Sequence, residues 1–373
     1  MRIAFIVQYC HRAGTFFRWH NLALGLQKAG HDVVVFAGDF DWRAESRIEY
    51  IDSIRYEISP VLFTSKIFLS PTDPITGFVR FFKIPKNFDV YHLFQPFVDG
   101  FLPWFLIKLV NKRARFFYDW DDLWTDQIIT KEGGVRRWIA YQSVRFLEKV
   151  IPGISDGTTV CSLFLKELVS KNATLIYNGF WDFDNSSIEH RVGFVELRTG
   201  YKWKLVYTGR TNGELIWLSD LCATIERFNI SVLLVICGPS QEQINLAGLN
   251  RFSNVQYLGV VSPEVARNVI ASVDIGLLPM ENTPFNQSRF PIKFFDYLSS
   301  GITVYCSEVG EIGKLGGRID GVLLASHDQV KWVEGLVNLL MENNSFPKPL
   351  ISKLSEQFSW VAATNKLEEL YGV

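Results

Sequence analysis

The stretch Ser288-Arg-Phe-Pro291-Ile-Lys293-Phe-Phe-Asp296-Tyr297-Leu-Ser-Ser-Gly301 sets a cation and an acid inside a short helical signal. Pro291 suits a first turn, Ser288 or a neighbour can cap it, and Gly301 suits its end. Phe294, Phe295 and Leu298 fall on one face, while Lys293, Asp296 and Tyr297, spaced i, i+3, i+4, share the other. A helix N-terminus with free N–H groups, a positive dipole end and a mobile ammonium makes an anion site. A nucleoside diphosphate needs such a site, because charge builds on the leaving phosphate as a sugar bond breaks. Asp296 could then accept hydrogen bonds from ribose hydroxyls. The plainer reading is an ordinary surface ion pair of Lys293 and Asp296. Thr208-Gly209-Arg210 puts an arginine directly after a strand-ending glycine, where it either holds phosphate or bonds the backbone.

A second constellation lies earlier in the chain. Phe116-Phe-Tyr-Asp119-Trp-Asp121-Asp122 is an apolar run that ends in acids. Asp119 at the end of a strand could steady a positively charged transition state or orient an acceptor hydroxyl. Helix capping and solvated acids are the alternative, with a divalent metal a minor one. His92, in Asp89-Val-Tyr-His92, is either a catalytic histidine or a satisfied core residue.

The elements that must position these groups alternate. Strands are expected at Ile3–Val7, Asp32–Phe36, Val90–Leu93, Arg115–Tyr118, Gly157–Cys161 and Thr174–Tyr177. A second set follows at Lys204–Tyr207, Ser231–Cys237, Val255–Leu258, Ile275–Leu278, Thr303–Cys306 and Gly321–Leu324. A polar segment from Asn178 to Tyr201 separates the sets. The reading is α/β, with two Rossmann-like doubly wound domains at 1–180 and 190–355, facing across a cleft. A helix within 358–373 returns to the first domain. With 373 residues, two cores are the natural division. A formal net charge of −1 gives no reason to expect a nucleic-acid partner. Five scattered cysteines without a CxxC pair suit a reduced cytoplasmic setting and no zinc site. The first apolar run is too short for a signal peptide.

The 288–305 stretch resembles the signature of the retaining family-4 glycosyltransferases (glycosyl transferases group 1), which adopt the GT-B fold. Further elements resemble that family in its own order: Gly14 after the first strand, Gly30-His-Asp-Val, Asp156-Gly-Thr-Thr-Val-Cys-Ser, Ile176-Tyr-Asn-Gly179, Gly209-Arg210 and Val255-Gln-Tyr-Leu258-Gly259. The resemblance implies a hexosyltransferase that uses a nucleotide-sugar donor with retention, by a front-face route in which the leaving diphosphate takes the acceptor's proton. It places Lys293 and Arg210 on the diphosphate, Asp296 on the ribose, and Gly14, Gly209, Gly238 and Leu258 around the nucleotide. Asp119 and His92 would face the sugar. No cofactor and no metal is implied. The chain departs from the pattern in three places. A glutamate that often touches the donor sugar is Ser288 here, with Asn286 or Glu281 as substitutes. The second motif glutamate is shortened to Asp296. The lysine usual after Gly-Arg is missing from Thr211-Asn-Gly-Glu-Leu-Ile.

Two other functions compete with this one. An NAD-dependent oxidoreductase requires a GxGxxG turn, and Gln8–Thr15 has a single glycine. A non-catalytic GT-B-like binding protein is kept open by Ser288. Between Phe78 and Arg115, seven Lys or Arg and ten aromatics stand against two Asp, and Arg136-Arg137-Trp138, Tyr141, Arg145-Phe146 and Lys149 continue the pattern. Such interleaving suits either an anionic membrane surface or aromatics in the core with solvated bases. On the first alternative the acceptor is a glycan or lipid-linked sugar at the inner face of the membrane.

Overall fold

Uninterrupted apolar runs build two parallel sheets, as strands buried on both faces require. The structure, a computed structural model, describes residues 1–373 except 11–13, 42, 44, 63–71, 130–133, 170–172, 182–194, 210–212 and 343. The chain divides into one unit of Met1–Asn178 with Trp360–Val373 and a second of Gly179–Ser359.

The first unit contains β1 (Arg2–Tyr9), β2 (Asp32–Gly38), β3 (Arg47–Ile51), β4 (Ile54–Ser59), β5 (Val90–Phe94), β6 (Arg115–Trp120), β7 (Gly157–Val160) and β8 (Ala173–Leu175). Their order across the sheet is β3-β4-β2-β1-β5-β6-β7-β8. All pairs are parallel except β3 on β4, a hairpin. Its turn residues Asp52 and Ser53 have φ of 47° and 69°, the left-handed pair that suits right-twisted strands. One core cluster of the unit includes Trp104 and Ile107 of the helix Val98–Val110 and Val144, Leu147 and Ile151 of the helix Gly134–Ile154. Elsewhere in the unit the helix Phe16–Lys28 packs against the helix Trp360–Tyr371. They approach so closely that a Cβ on Gly25 would lie 1.9 Å from Thr364 Oγ1.

The second unit contains β9 (Trp203–Thr208), β10 (Val232–Cys237), β11 (Val255–Gly259), β12 (Ile275–Leu278), β13 (Thr303–Ser307) and β14 (Val322–Ala325). All pairs are parallel, in the order β11-β10-β9-β12-β13-β14. Strand order reverses between β9 and β12 here, and between β1 and β5 in the first unit. In open α/β sheets ligands bind beyond the carboxyl ends of strands at such reversals.

Candidate functional site

At the end of β9 the chain must turn without side chains. Gly209 has φ of 133° and Gly238, after β10, has φ of 108°. A Cβ on Gly238 would lie 2.7 Å from Gly209 O, so the two turns pack backbone on backbone. A Cβ on Gly209 would lie 3.3 Å from Lys293 Nζ. The motif lysine therefore reaches the β9 turn from the first turn of the helix Ile292–Ser299, which Pro291 opens as N-cap.

Lys293 does not pair with Asp296. Its Nζ donates to Glu214 Oε2 at 2.9 Å, and Arg289 Nη2 donates to Glu214 Oε1 at 3.2 Å. Tyr207 Oη also donates to Glu214 Oε2, at 2.5 Å. Burial lowers the Lys293 pKa, with Arg289 adding to the fall and Glu214 opposing it. Two cations share one carboxylate at the strand reversal, which leaves a positive charge there.

Asp296 is half-buried, and its carboxyl has no hydrogen-bond partner among the described residues. Burial pushes its pKa up to about 7, against the pull of Arg267. Tyr297 is not on the polar face that helical spacing suggests: it is fully buried, its ring fills the space beside Gly276, and its Oη accepts from Thr208 N at 2.9 Å. That bond pins the end of β9. Ser288 is buried and its Oγ donates to Phe285 O at 2.8 Å. Asn286 Nδ2 donates to Glu281 O at 2.8 Å, while Glu281 itself is exposed. Leu258 is half-buried in β11. Arg210 lies outside the described residues.

In the first unit Gly14 makes an exposed turn with φ of 60° before the helix Phe16–Lys28. Asp119 and His92, expected to face a sugar, are both fully buried. Asp119 accepts from Arg18 Nε and Nη2, each at 2.8 Å, and from Thr159 Oγ1 at 2.5 Å. Burial would raise its pKa, but the Arg18 guanidinium outweighs that and holds it below the ordinary carboxylate range. Arg18 Nη1 continues to Ile176 O at 3.0 Å and Asn178 Oδ1 at 2.9 Å. His92 Nδ1 lies 2.5 Å from Tyr371 Oη, and burial lowers its pKa to about 4. Asp119 thus sits in a buried ion pair and His92 in the core of the first unit. Among the described residues no group of three or more His, Cys, Asp or Glu is placed to hold a metal ion.

Sequence reasoning did not single out Glu214, Arg289, Tyr207 or Arg18 as site or framework residues. Arg289 stands inside the motif itself. Glu214 was visible only as part of a loop without a lysine, and nothing local marks it as a partner for residues more than seventy positions away.

Two doubly wound parallel-sheet units in one chain define the GT-B class of fold. Sucrose-phosphate synthase from Thermosynechococcus elongatus matches with a TM-score of 0.71 at 16% identity, covering 100% of this chain and 98% of that one. Anabaena HepE, solved in complex with UDP and glucose, matches with a TM-score of 0.67 at 12% identity, covering 100% and 99%. Residues 202–342, within the second unit, match the family model for glycosyl transferases group 1. TuaH of Bacillus subtilis, named as a teichuronic acid biosynthesis glycosyltransferase, is 22% identical over 274 residues, or 63% of this chain. The match spans 66% of that relative's own length, just under two thirds.

Proposed function

We propose that this protein is a glycosyltransferase that moves a hexose from a nucleotide-diphosphate sugar to a carbohydrate or lipid-linked glycan acceptor, with retention of anomeric configuration. The observation that carries the reading is the convergence of the Lys293 ammonium on the Gly209 turn at the strand reversal of the second unit. There the ammonium and the helix N-terminus would stabilise charge on the departing diphosphate. The free carboxyl of Asp296, three residues along the same helix, would accept from the ribose. With Asp119 and His92 buried, no enzymic base is assigned, which suits a route in which the leaving diphosphate takes the acceptor proton. The complex of HepE with UDP and glucose, and the naming of TuaH for teichuronic acid biosynthesis, support the donor and acceptor classes.

The acceptor is proposed to be met at an anionic membrane surface. The helix Gly134–Ile154 exposes Val135, Trp138, Ile139 and Phe146 among Arg136, Arg145 and Lys149. Phe78 and Phe82 are exposed on the helix Pro74–Lys83. Apolar anchors among bases suit a headgroup layer. Among the described residues no helix is long and apolar enough to cross a membrane.

The test is a thermal-shift panel of UDP, GDP, ADP and NAD on the wild type and on Lys293→Ala. A ligand at a hundred times its Kd adds about 2.7 kcal/mol, a readily measured shift. One diphosphate should stabilise the wild type and lose its effect in the variant. A shift with NAD alone overturns the reading. Binding without turnover on any acceptor favours the non-catalytic alternative.

A further inference from the structure

The loop after Gly209 lacks the lysine that the family pattern supplies, and an acid, Glu214, stands near its place. An acid beside a diphosphate would repel it unless outnumbered. Here it is outnumbered. Both Glu214 oxygens are taken by donors, Oε1 by Arg289 and Oε2 by Lys293 and Tyr207, and its side chain is only 8% exposed. The Arg289 guanidinium is held in place as well: it lies 5.0 Å from the Phe285 ring centroid, and its side chain is 16% exposed. Its Nε is buried with no hydrogen-bond partner. A buried donor left unspent is costly, and an incoming acceptor would recover that cost. A guanidinium fixed on one edge, with donor capacity left over, suits a phosphate, whose oxygens match its fork.

On the nucleotide-sugar reading above, we propose that Arg289 is a further diphosphate-binding cation beside Lys293, supplying from the Ser288–Lys293 segment the charge of the lysine that is missing after Gly209-Arg210. Glu214 is the positioning residue that holds Arg289 and Lys293 in place before the nucleotide arrives. Arg289 lies four residues before Lys293, and their charged ends meet on opposite oxygens of one carboxylate. The two cations thus stand side by side, able to meet a diphosphate together, whereas a nucleoside monophosphate offers them fewer charges to share.

The experiment is calorimetric titration of the full chain with UDP, GDP and ADP and with the matching monophosphates, for wild type, Arg289→Met and Glu214→Gln. Arg289→Met should weaken the diphosphate about tenfold, the size of one charge-assisted hydrogen bond, and leave the monophosphate within about twofold. Glu214→Gln should weaken the diphosphate increasingly as pH rises, because Glu214 keeps Lys293 protonated. If Arg289→Met does not fold, Arg289→Lys keeps the charge, loses the fork, and should still lower the diphosphate-to-monophosphate ratio. An unchanged ratio in the folded variant overturns the assignment to Arg289. A wild type that binds none of the three diphosphates overturns the nucleotide reading itself, a separate result.

Discussion

Replacing Asp119 with asparagine decides between a framework and a catalytic carboxylate. In the wild type, the buried Arg18 guanidinium is met by two oxygens at 2.8 Å and by the carbonyl and amide oxygens of Ile176 and Asn178. The substitution keeps the shape but removes the charge, and its amide NH2 offers a donor where an acceptor is needed. Leaving one partner of a buried pair uncompensated costs about 3–5 kcal/mol. The first unit has roughly 190 residues, which at about 2.1 cal/mol/K each gives an unfolding entropy near 0.4 kcal/mol/K. Its melting midpoint should therefore fall by about 8–12 °C in differential scanning calorimetry. Nucleotide affinity, which the proposed function assigns to the second unit, should stay within about twofold. The double variant Arg18→Met with Asp119→Leu, which removes both charges, should recover much of the loss. A single variant that melts with the wild type yet loses turnover would refute the framework account and restore Asp119 to the reaction.

Asp296 gives a pH prediction. Its folded pKa of about 7 lies above the unfolded value near 3.8, so the folded state binds the proton more tightly. Stability from this group is full below about pH 4 and is lost as pH rises through 7. Asp296→Asn should match the wild type in thermal melts at pH 4 and exceed it at pH 8. If the ionised carboxylate accepts from ribose, wild-type nucleotide affinity should rise between pH 6 and pH 8, and the asparagine variant should flatten that rise in titrations. Gly238→Ala places a methyl 2.7 Å from Gly209 O at a φ of 108°, and strain there is of order 1–3 kcal/mol. Its thermal midpoint should drop and its nucleotide shift shrink together. Reversing Arg145 and Lys149 to glutamate should cut co-sedimentation with anionic phosphatidylglycerol vesicles at least tenfold, at about 1 kcal/mol per base. An unchanged bound fraction would remove the membrane from the account.

Much of the fold was legible because parallel strands buried on both faces leave continuous apolar runs. Ile275–Leu278 is found at its expected bounds, and Val255–Leu258 extends by only one residue. The β3–β4 hairpin was missed: its polar and apolar residues alternate at a sheet edge, where no continuous run marks it, and its turn is Asp52-Ser53 with no glycine. In the site, Lys293 could be picked out because its helix carries local signals. Its partner Glu214 could not, since the bond depends on how β9 and the helix Ile292–Ser299 pack, not on spacing. The Arg18 partner of Asp119 could not be read for the same reason. A strand-end acid looks alike in sequence whether it meets solvent or a buried arginine 101 positions away.

The chain leaves the first unit after Asn178 and returns to it at Trp360. A ribosome therefore releases the whole of the second unit before the helix Trp360–Tyr371 that completes the first. Until then Gly25 lacks the helix it packs on, His92 lacks Tyr371 Oη, and Arg115 lacks the carbonyls of Leu370 and Tyr371. All the residues of the second unit thus precede, in the chain, the segment that completes the first. The earlier-made unit stays incomplete until those contacts form, and incomplete units of this kind expose apolar surface that is prone to aggregate.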